Sequence, residues 1–378
     1  MNFDIGETER LLCERIRGLF TAEATADLIP LESQRMEDVR AATMRWMTSL
    51  GQAGYLSPGL DNGRNSVALV VIQEQLAALA PSLFLSAEVS TRIFGRLIAA
   101  YGTSDQKDAI LPDLKNGRMI GTVALSEQGM NIENDPLDTT GVSSTDGSRV
   151  TGSKSHVVNA PIADWLAVAG NIDGQEGTAF FLIKKGSKGL FMGDRLATLG
   201  YEGTAISPIR LDACPVPSER VIRLSPERGD LKTVRLWEDQ VLTVASLGVM
   251  RRTFDVAVEY AKTHQSGGKP IIAYQEVGFK LAEMLTLVQT AQLLAYRAAW
   301  MSESGARESN TLAHSAKVFC AESAEKVASE ALQILGGTGY VRGNPAEAGY
   351  RDAKYLQIAG TSTEISRMKI GDSVLGFG

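Results

Sequence analysis

Two glycine-rich turns near the C-terminus constrain the fold more than any other part of this 378-residue sequence. A long Ala- and Leu-rich helical pattern stops at Gly336-Gly337, and a glycine in a left-handed conformation is a common way to end a helix. The chain re-enters helix before a second turn, Gly360-Thr361-Ser362, whose hydroxyls can cap a last helix. Such turns expose N–H groups and hydroxyls that suit a phosphate or the polar edge of a cofactor, although most of them only end a helix.

Composition narrows the class of protein. Hydrophobic residues make up 44% and charged residues 22%, as in a globular protein, and a net charge of -6 argues against a nucleic-acid partner. The three cysteines are far apart and match neither a disulfide framework nor a metal-ligand spacing, and three histidines exclude a His-rich metal site. There is no signal-peptide pattern and no apolar run of about eighteen residues. We therefore expect a cytoplasmic protein with no membrane span and no bound metal.

Hydrophobic periodicity divides the chain into three predicted domains. Residues 1–119 have helical spacing, residues 120–225 alternate as short strands between Gly and Asp turns, and residues 226–378 return to helical spacing. The longest predicted helices cover residues 36–53, 66–79, 80–101, 231–262, 271–304 and 310–335. The pattern predicts a β-hairpin over residues 142–150, a small barrel or sandwich around it, and an antiparallel helical bundle at the end.

The order and spacing of these pieces resemble the acyl-CoA dehydrogenase family. The resemblance rests on Gln333-x-x-Gly-Gly-x-Gly, on the Arg-Asp-Ala-Lys run from Arg351, on the Gly-Thr-Ser turn, and on residues 101–107. It covers nearly the whole chain and implies an acyl-CoA dehydrogenase-like fold: an N-terminal α-helical domain, a middle β-barrel or sandwich domain, and a C-terminal four-helix bundle. It also implies FAD as cofactor, an acyl-CoA thioester as substrate, α,β-dehydrogenation as reaction, and an electron-transfer flavoprotein as electron acceptor.

The base that most of the family uses is absent here. The family has a Glu just before Gly-Thr in the C-terminal turn, and this chain has Ala359 or Gly360 there, depending on the alignment. Some members place the base on the first C-terminal helix, ten residues before a Leu-Gly pair, and Glu238 stands ten residues before Gly248. Glu238 is therefore the predicted catalytic base, although an acidic residue in the first turns of a helix also suits the helix dipole alone. Asp239 follows it where the family usually has Arg.

The cofactor contacts implied by the resemblance are preserved unevenly. On the side that faces the flavin, Ser126 keeps a hydroxyl, Val158 replaces one, His264 replaces an arginine that would pair with the pyrophosphate, and Gln275 is kept. The side that reaches a neighbouring subunit's FAD is better preserved. Its predicted contacts are Gln333, Gly336, Gly337, Gly339, Thr361 and Glu364, the last near the adenine end.

These departures leave two alternatives to a self-sufficient dehydrogenase. The chain could be the non-catalytic or half-site subunit of an α2β2 acyl-CoA dehydrogenase for a bulky substrate, or a flavin-dependent monooxygenase on the same fold. By resemblance we expect a homotetramer, or a heterotetramer with a paralogous subunit. Arg92 and Arg96 lie on a helix that could line the acyl cavity and meet an acyl carboxylate, but surface or capping roles are the expected ones.

Overall fold

The structure is a computed structural model that describes residues 6–21, 26–60, 67–129, 136–224, 231–304 and 308–376. It confirms the predicted order of helices, sheet and helices. The helices before the sheet are α1 (Glu7–Leu19), α2 (Met36–Ala53), α3 (Val67–Leu79), α4 (Pro81–Glu88), α5 (Arg96–Tyr101) and α6 (Ser104–Lys115). A 3₁₀ turn, Ala26–Glu32, precedes α2, and a π-helical segment, Val89–Gly95, joins α4 to α5.

The segment from α4 to α5 runs through the core. Every residue from 83 to 98 is buried, which explains why residues 80–101 are mostly apolar. The next helix, α6, is capped by Thr103, whose hydroxyl accepts a hydrogen bond from the Gln106 N–H while the Gln106 side chain accepts one from the Thr103 N–H. This helix end follows from the sequence pattern alone.

The middle of the chain forms one eight-stranded sheet with its own core. Its strands are β1 (Gly121–Ala124), β2 (Thr140–Ser144), β3 (Gly147–Val158), β4 (Trp165–Ile172), β5 (Thr178–Lys184), β6 (Leu190–Met192), β7 (Ile206–Pro217) and β8 (Val221–Arg223). The order is β6-β7-β3-β2-β4-β5-β8, with β1 parallel to β4. The predicted hairpin is the antiparallel β2–β3 pair. Along β5, Phe181 faces the sheet's own core and Phe180 faces the core shared with the helices, as the period of two requires.

The C-terminal helices pack around one central helix. They are α7 (Leu231–Thr263), α8 (Gln275–Ser304), α9 (Ser309–Leu335), α10 (Pro345–Ile358) and α11 (Thr363–Leu375). A short hairpin of β9 (Gln265–Ser266) and β10 (Lys269–Pro270), which the sequence pattern did not predict, separates α7 from α8. Helix α7 packs against α3, α8, α9 and α10, and every residue from 241 to 250 is buried. Helix α7 therefore lies where the N-terminal helices meet the C-terminal bundle.

Candidate active site

The turn between α10 and α11 is held by buried side chains from two other helices. Gly360 has a left-handed backbone, with φ of 66°. The Thr361 N–H donates to Oδ1 of Asp239 on α7 over 2.7 Å. From α9, Nζ of Lys317 donates to the Ala359 carbonyl over 3.2 Å. The position of the turn therefore depends on α7 and α9.

Asp239 fills the space directly beneath this turn. A Cβ on Gly360 would lie 2.5 Å from Asp239 Oδ1 and 2.7 Å from Leu242 Cδ1, so a side chain at position 360 would collide with both. The turn itself carries no proton acceptor in either alignment, since its residues are Ala359 and Gly360. The carboxylate in contact with the turn comes from α7, the helix that also carries Glu238.

Nothing local in the sequence marks Asp239 as a buried group. The residue is 1% exposed, and its Oδ2 has no hydrogen-bond partner in the part of the chain that the structure describes. Nδ1 of His314 on α9 is 3.8 Å from that oxygen. Burial raises the pKa of Asp239 to about 6, although the nearby charge of Lys317 and the Thr361 N–H oppose the rise. Asp239 can therefore change protonation state just below neutral pH.

Glu238 lies one position earlier on α7 and is reachable from outside. Its side chain is 24% exposed, and Oε2 accepts a hydrogen bond from Nη1 of Arg235, one helical turn earlier, over 2.7 Å. The Tyr355 phenol on α10 is close enough for the charge of Glu238 to help raise its pKa, after the larger effect of burial. Glu238 thus combines partial burial, a fixed cationic partner and access.

Ser126 and Val158 lie on adjacent segments of the sheet domain. The β3–β7 ladder has an irregularity between Lys154 and Val157, a kind of bulge that re-aims side chains. There Ser155 donates its N–H to the Ser126 carbonyl over 2.9 Å. Just beyond the irregularity, the Val158 carbonyl accepts a hydrogen bond from the Thr122 hydroxyl over 2.5 Å. Ser126 and Val158 are thus each tied to a neighbouring segment of the sheet domain, Ser126 to β3 and Val158 to β1.

A buried ion pair fixes the segment that carries Ser126. Nζ of Lys154 lies 2.7 Å from Oε1 of Glu127, and both side chains are almost fully buried. Glu127 also accepts hydrogen bonds from the Thr139 hydroxyl and N–H, at 2.5 and 3.0 Å. Burial alone would raise the pKa of Glu127, but the hydrogen bonds from Lys154 and Thr139 lower it below its usual value. Glu127 therefore stays ionised and fixes the position of the adjacent Ser126.

The first glycine turn is open to solvent. Gly336 ends α9 with φ of 56° and ψ of -135°, a backbone with positive φ but outside the left-handed helical region predicted for it. A Cβ on Gly336 or Gly337 would meet nothing within 4 Å, and Gln333 is exposed. Gly339 is buried against Leu335. The turn thus leaves a vacant surface on which a bound group or another chain can lie.

The remaining predicted cofactor residues lie at exposed helix ends. His264 follows α7 and stacks on Tyr260 with ring centroids 4.6 Å apart. Gln275 is the exposed first residue of α8. Glu364 is exposed in the first turn of α11, where its own N–H and the Ser362 hydroxyl lower its pKa. Within the described residues, no hydrogen bond joins any of these three to Ser126.

The expectation for Arg92 and Arg96 is wrong. They are 3% and 9% exposed, so neither has a surface role. The π-helical segment and α5 lie within the core, where Arg92 donates to the Tyr55 and Leu56 carbonyls and Arg96 reaches Trp237 and Gln240 on α7. Among the described residues, no cluster of His, Cys, Asp and Glu could hold a metal ion, and no helix is long and apolar enough to cross a membrane.

Comparison with known proteins identifies the family. Residues 6–118 match the model of the acyl-CoA dehydrogenase N-terminal domain, and residues 237–375 match that of its C-terminal domain. Together the two matches span two thirds of the sequence. The chain belongs to the acyl-CoA dehydrogenase family, as a divergent member. Its family places it among the FAD-dependent oxidoreductases that act on CH–CH bonds.

Relatives match over nearly the full length at low identity. The rat short-chain specific acyl-CoA dehydrogenase is 28% identical over 386 residues, which cover 98% of this chain and 91% of the relative. Benzylmalonyl-CoA dehydrogenase of Aromatoleum aromaticum is 27% identical, with 99% and 100% covered. The structure of butyryl-CoA dehydrogenase from Megasphaera elsdenii superposes with a TM-score of 0.86 at 22% identity, covering 99% of this chain and all of that one.

The residues present fit FAD at two separate places. The Thr361 hydroxyl is buried and lacks a hydrogen-bond partner among the described residues. It belongs to the turn that α7 and α9 fix in position. The open surface at Gly336 and Gly337 allows a phosphate to approach the backbone closely. In the sheet domain, Ser126 and Val158 are both half-buried. These two places belong to opposite ends of the predicted cofactor site.

Proposed function

We propose that this protein is an FAD-dependent acyl-CoA dehydrogenase that introduces an α,β double bond into an acyl-CoA thioester and passes the electrons to an electron-transfer flavoprotein. Family membership supports the reaction class, and the names of the relatives support a CoA thioester as substrate. The observation that carries the proposal is the placement of Glu238. It is an accessible carboxylate on α7, next to the residue that holds the turn from which the family's usual base is missing.

Glu238 is the proposed base because it can reach a substrate. Abstraction of the α proton needs a carboxylate within hydrogen-bond distance of that proton. Glu238 is 24% exposed and held by Arg235, whereas Asp239 is sealed beneath Gly360. When bound, FAD supplies the acceptor for the β hydride. Asp239 then acts as a positioning residue, since it fixes Thr361 through the backbone N–H.

The proposed FAD site is shared between two subunits. One subunit contributes the turn residues and the start of α11, and the other contributes the rim of the sheet and the ends of α7 and α8. The first set is Gln333, Gly336, Gly337, Gly339, Thr361 and Glu364, and the second is Ser126, Val158, His264 and Gln275. The exposure of Gln333 and of the Gly336 turn supports the arrangement, because a neighbouring chain can reach both.

The Glu238→Gln variant tests the base. It keeps the shape of the side chain and a hydrogen bond to Arg235 but removes the basic carboxylate, so turnover should fall by about 100-fold or more while FAD and substrate still bind. The matched control is Glu259→Gln, an exposed glutamate on the same helix. Normal turnover by FAD-loaded Glu238→Gln would exclude Glu238 as the base. A loss of bound FAD would show instead that Glu238 has a structural role.

The second candidate, a half-site subunit of an α2β2 dehydrogenase, is favoured by the absence of a base at Ala359 and Gly360 and of a hydroxyl at Val158. Such a subunit needs a surface for its partner. Tyr340, Val341 and Ile358, which flank the two turns, are 89%, 65% and 66% exposed. Large apolar side chains this exposed are typical of a protein interface. A paralogous subunit could cover them as well as a second copy could. The amount of FAD bound per chain decides between a self-sufficient enzyme and a half-site subunit. It is measured with this protein alone and with the co-expressed product of a neighbouring gene. A protein that is colourless alone and yellow only with the partner favours the heteromer.

A further inference from the structure

An open cavity lies between the loop that joins β6 to β7, helix α7 and the start of α10. It has a volume of about 440 Å³, which is within the range of ligand pockets in proteins. Three glutamates and four arginines line it, the arginines being Arg195, Arg252, Arg342 and Arg351. Arg252 stands fourteen residues after Glu238, roughly 21 Å along α7, and none of the residues assigned to the catalytic or cofactor site lines the cavity. The cavity is therefore separate from the candidate active site.

Two of the four arginines are neutralised by glutamates. Nη1 of Arg342 lies 2.9 Å from Oε1 of Glu202, and Nη1 of Arg351 lies 2.8 Å from Oε2 of the same carboxylate. Nε of Arg351 also lies 2.8 Å from Oε2 of Glu347. The third glutamate, Glu32, is exposed. Glu202 and Glu347 are therefore already engaged by Arg342 and Arg351.

The other two arginines, Arg195 and Arg252, are half-buried, and no carboxylate of the described residues lies within 4 Å of either. Arg195 donates to main-chain carbonyls, among them those of Ser33 over 2.7 Å and Leu31 over 3.1 Å. Arg252 donates no hydrogen bond to a described residue. Burial lowers the pKa of both guanidinium groups, and the charge of Asp352 offsets only part of this for Arg252. The cavity thus has two cationic groups without a close counter-ion.

These charges match a phosphate. A half-buried cation without an anion nearby loses part of its hydration and gains little in return, and a bound anion would reverse this. A guanidinium group matches phosphate oxygens with two parallel hydrogen bonds. Asn344 and Pro345, at the start of α10, line the same cavity, and the N-terminal end of a helix carries a partial positive charge. Two cations and a helix start together favour a dianion over a single carboxylate.

The rest of the lining indicates what the phosphate is attached to. Gln34 and Thr198 line the cavity, and their amide and hydroxyl groups can exchange hydrogen bonds with the hydroxyls of a ligand. The apolar part of the lining is small, with Leu196, Ala197 and Ala348 as its members besides proline. Among the described residues that line the cavity, none has an aromatic ring on which a base could stack. This lining suits a sugar better than an acyl chain or a base.

We propose that this cavity binds a phosphorylated sugar, with the phosphate on Arg195 and Arg252 and the sugar hydroxyls on Gln34 and Thr198. The inference goes beyond the proposed function and does not depend on it, because no step of the dehydrogenation uses these residues. Since the ligand contacts both the β6–β7 loop and the start of α10, its binding should stabilise the folded protein.

Calorimetry tests the site with ribose 5-phosphate as the probe and ribose as its uncharged counterpart. The protein is used with its FAD, and with its partner subunit if one is needed to load FAD. Ribose 5-phosphate should bind at least ~10-fold more tightly than ribose, as expected for charge-assisted hydrogen bonds. Arg252→Gln should weaken this binding by at least ~10-fold, and Arg252→Lys should retain part of it. The matched control is Arg251→Gln, because the neighbouring arginine is exposed, pairs with Asp255 over 3.1 Å and should leave the binding unchanged.

A second variant covers the case in which Arg252→Gln fails to fold. Ala348→Glu adds a carboxylate to the α10 wall of the cavity and leaves every arginine in place, so it should abolish the binding of ribose 5-phosphate. AMP, which has the same phosphate and sugar, should bind no more tightly than ribose 5-phosphate. Tighter binding of AMP that still depends on Arg252 would keep the phosphate site and identify a nucleotide as the source of the sugar phosphate.

Equal binding of ribose and ribose 5-phosphate, or no binding of either, would overturn the inference. Binding of ribose 5-phosphate that survives both Arg252→Gln and Ala348→Glu would also overturn it. So would its displacement by an acyl-CoA from the Glu238→Gln protein, because the phosphate would then occupy the substrate site. If ribose 5-phosphate binds through Arg252 while the wild-type protein oxidises no acyl-CoA, the cavity keeps its ligand and the proposed function fails.

Discussion

Replacement of Asp239 by Asn should stabilise the protein near neutral pH. Burial shifts the pKa of Asp239 from 3.8 to about 6, which corresponds to a penalty of about 3 kcal/mol for ionising the folded protein. Because the folded pKa is the higher one, stability from this group is fully present below about pH 4 and is lost as the pH rises through 6. Asn keeps an oxygen that can accept the Thr361 N–H and has no charge to bury.

Denaturant unfolding measures this directly. Asp239→Asn should be more stable than wild type by about 2–3 kcal/mol at about pH 8, and the difference should vanish near pH 4. The pKa of Asp352 is also raised to about 6 by burial, but both proteins share that group and it cancels in the comparison. Asp173→Asn, at an exposed turn, is the control and should show no such difference. A less stable variant at pH 8, or a difference independent of pH, would refute the reasoning.

Three other buried side chains, Arg92, Arg96 and Glu127, give predictions about stability. Arg92→Gln leaves Glu88 without its arginine and should destabilise the protein by about 3–5 kcal/mol. Arg96→Gln removes a charge that has no counter-ion and should be neutral or stabilising. Thermal unfolding of the two variants side by side checks the contrast. Glu127→Gln leaves Lys154 buried without its carboxylate partner, so it should lower the free energy of unfolding by about 3–5 kcal/mol. It should also weaken FAD binding, because Ser126 is then held less firmly. Glu219→Gln, at an exposed position in the same domain, should change neither.

The fold could be predicted from the sequence because its signals are local and repeated. The predicted helix over residues 36–53 has the same bounds as α2, and the end of α9 falls at the glycine pair. Hydrophobic periodicity and glycine turns each depend on a few neighbouring residues. The short β9–β10 hairpin was not predicted, because strands of two residues show no alternation of polar and apolar side chains.

The site was predictable only where family motifs persist. The spacing from Gly248 predicts Glu238, but the burial of Asp239 under Gly360 depends on a contact across 121 positions of sequence. The contact of Lys317 with Ala359 joins a third helix to the same turn across 42 positions. Arg96 was misplaced for the same reason. Charged residues are normally exposed, and only the packing of α3, α5 and α7 makes this one buried.

Anaerobic single-turnover reduction of the bound flavin tests the central claim most directly. The protein with its FAD, and with its partner subunit if one is needed to load FAD, is mixed with an acyl-CoA that it accepts, and the loss of flavin absorbance is followed. Wild type and Glu259→Gln should lose the flavin absorbance at the same rate, and Glu238→Gln should do so about 100-fold more slowly or worse. Reduction of the Glu238→Gln flavin at the wild-type rate would contradict the account, because the base would then lie elsewhere or on another chain.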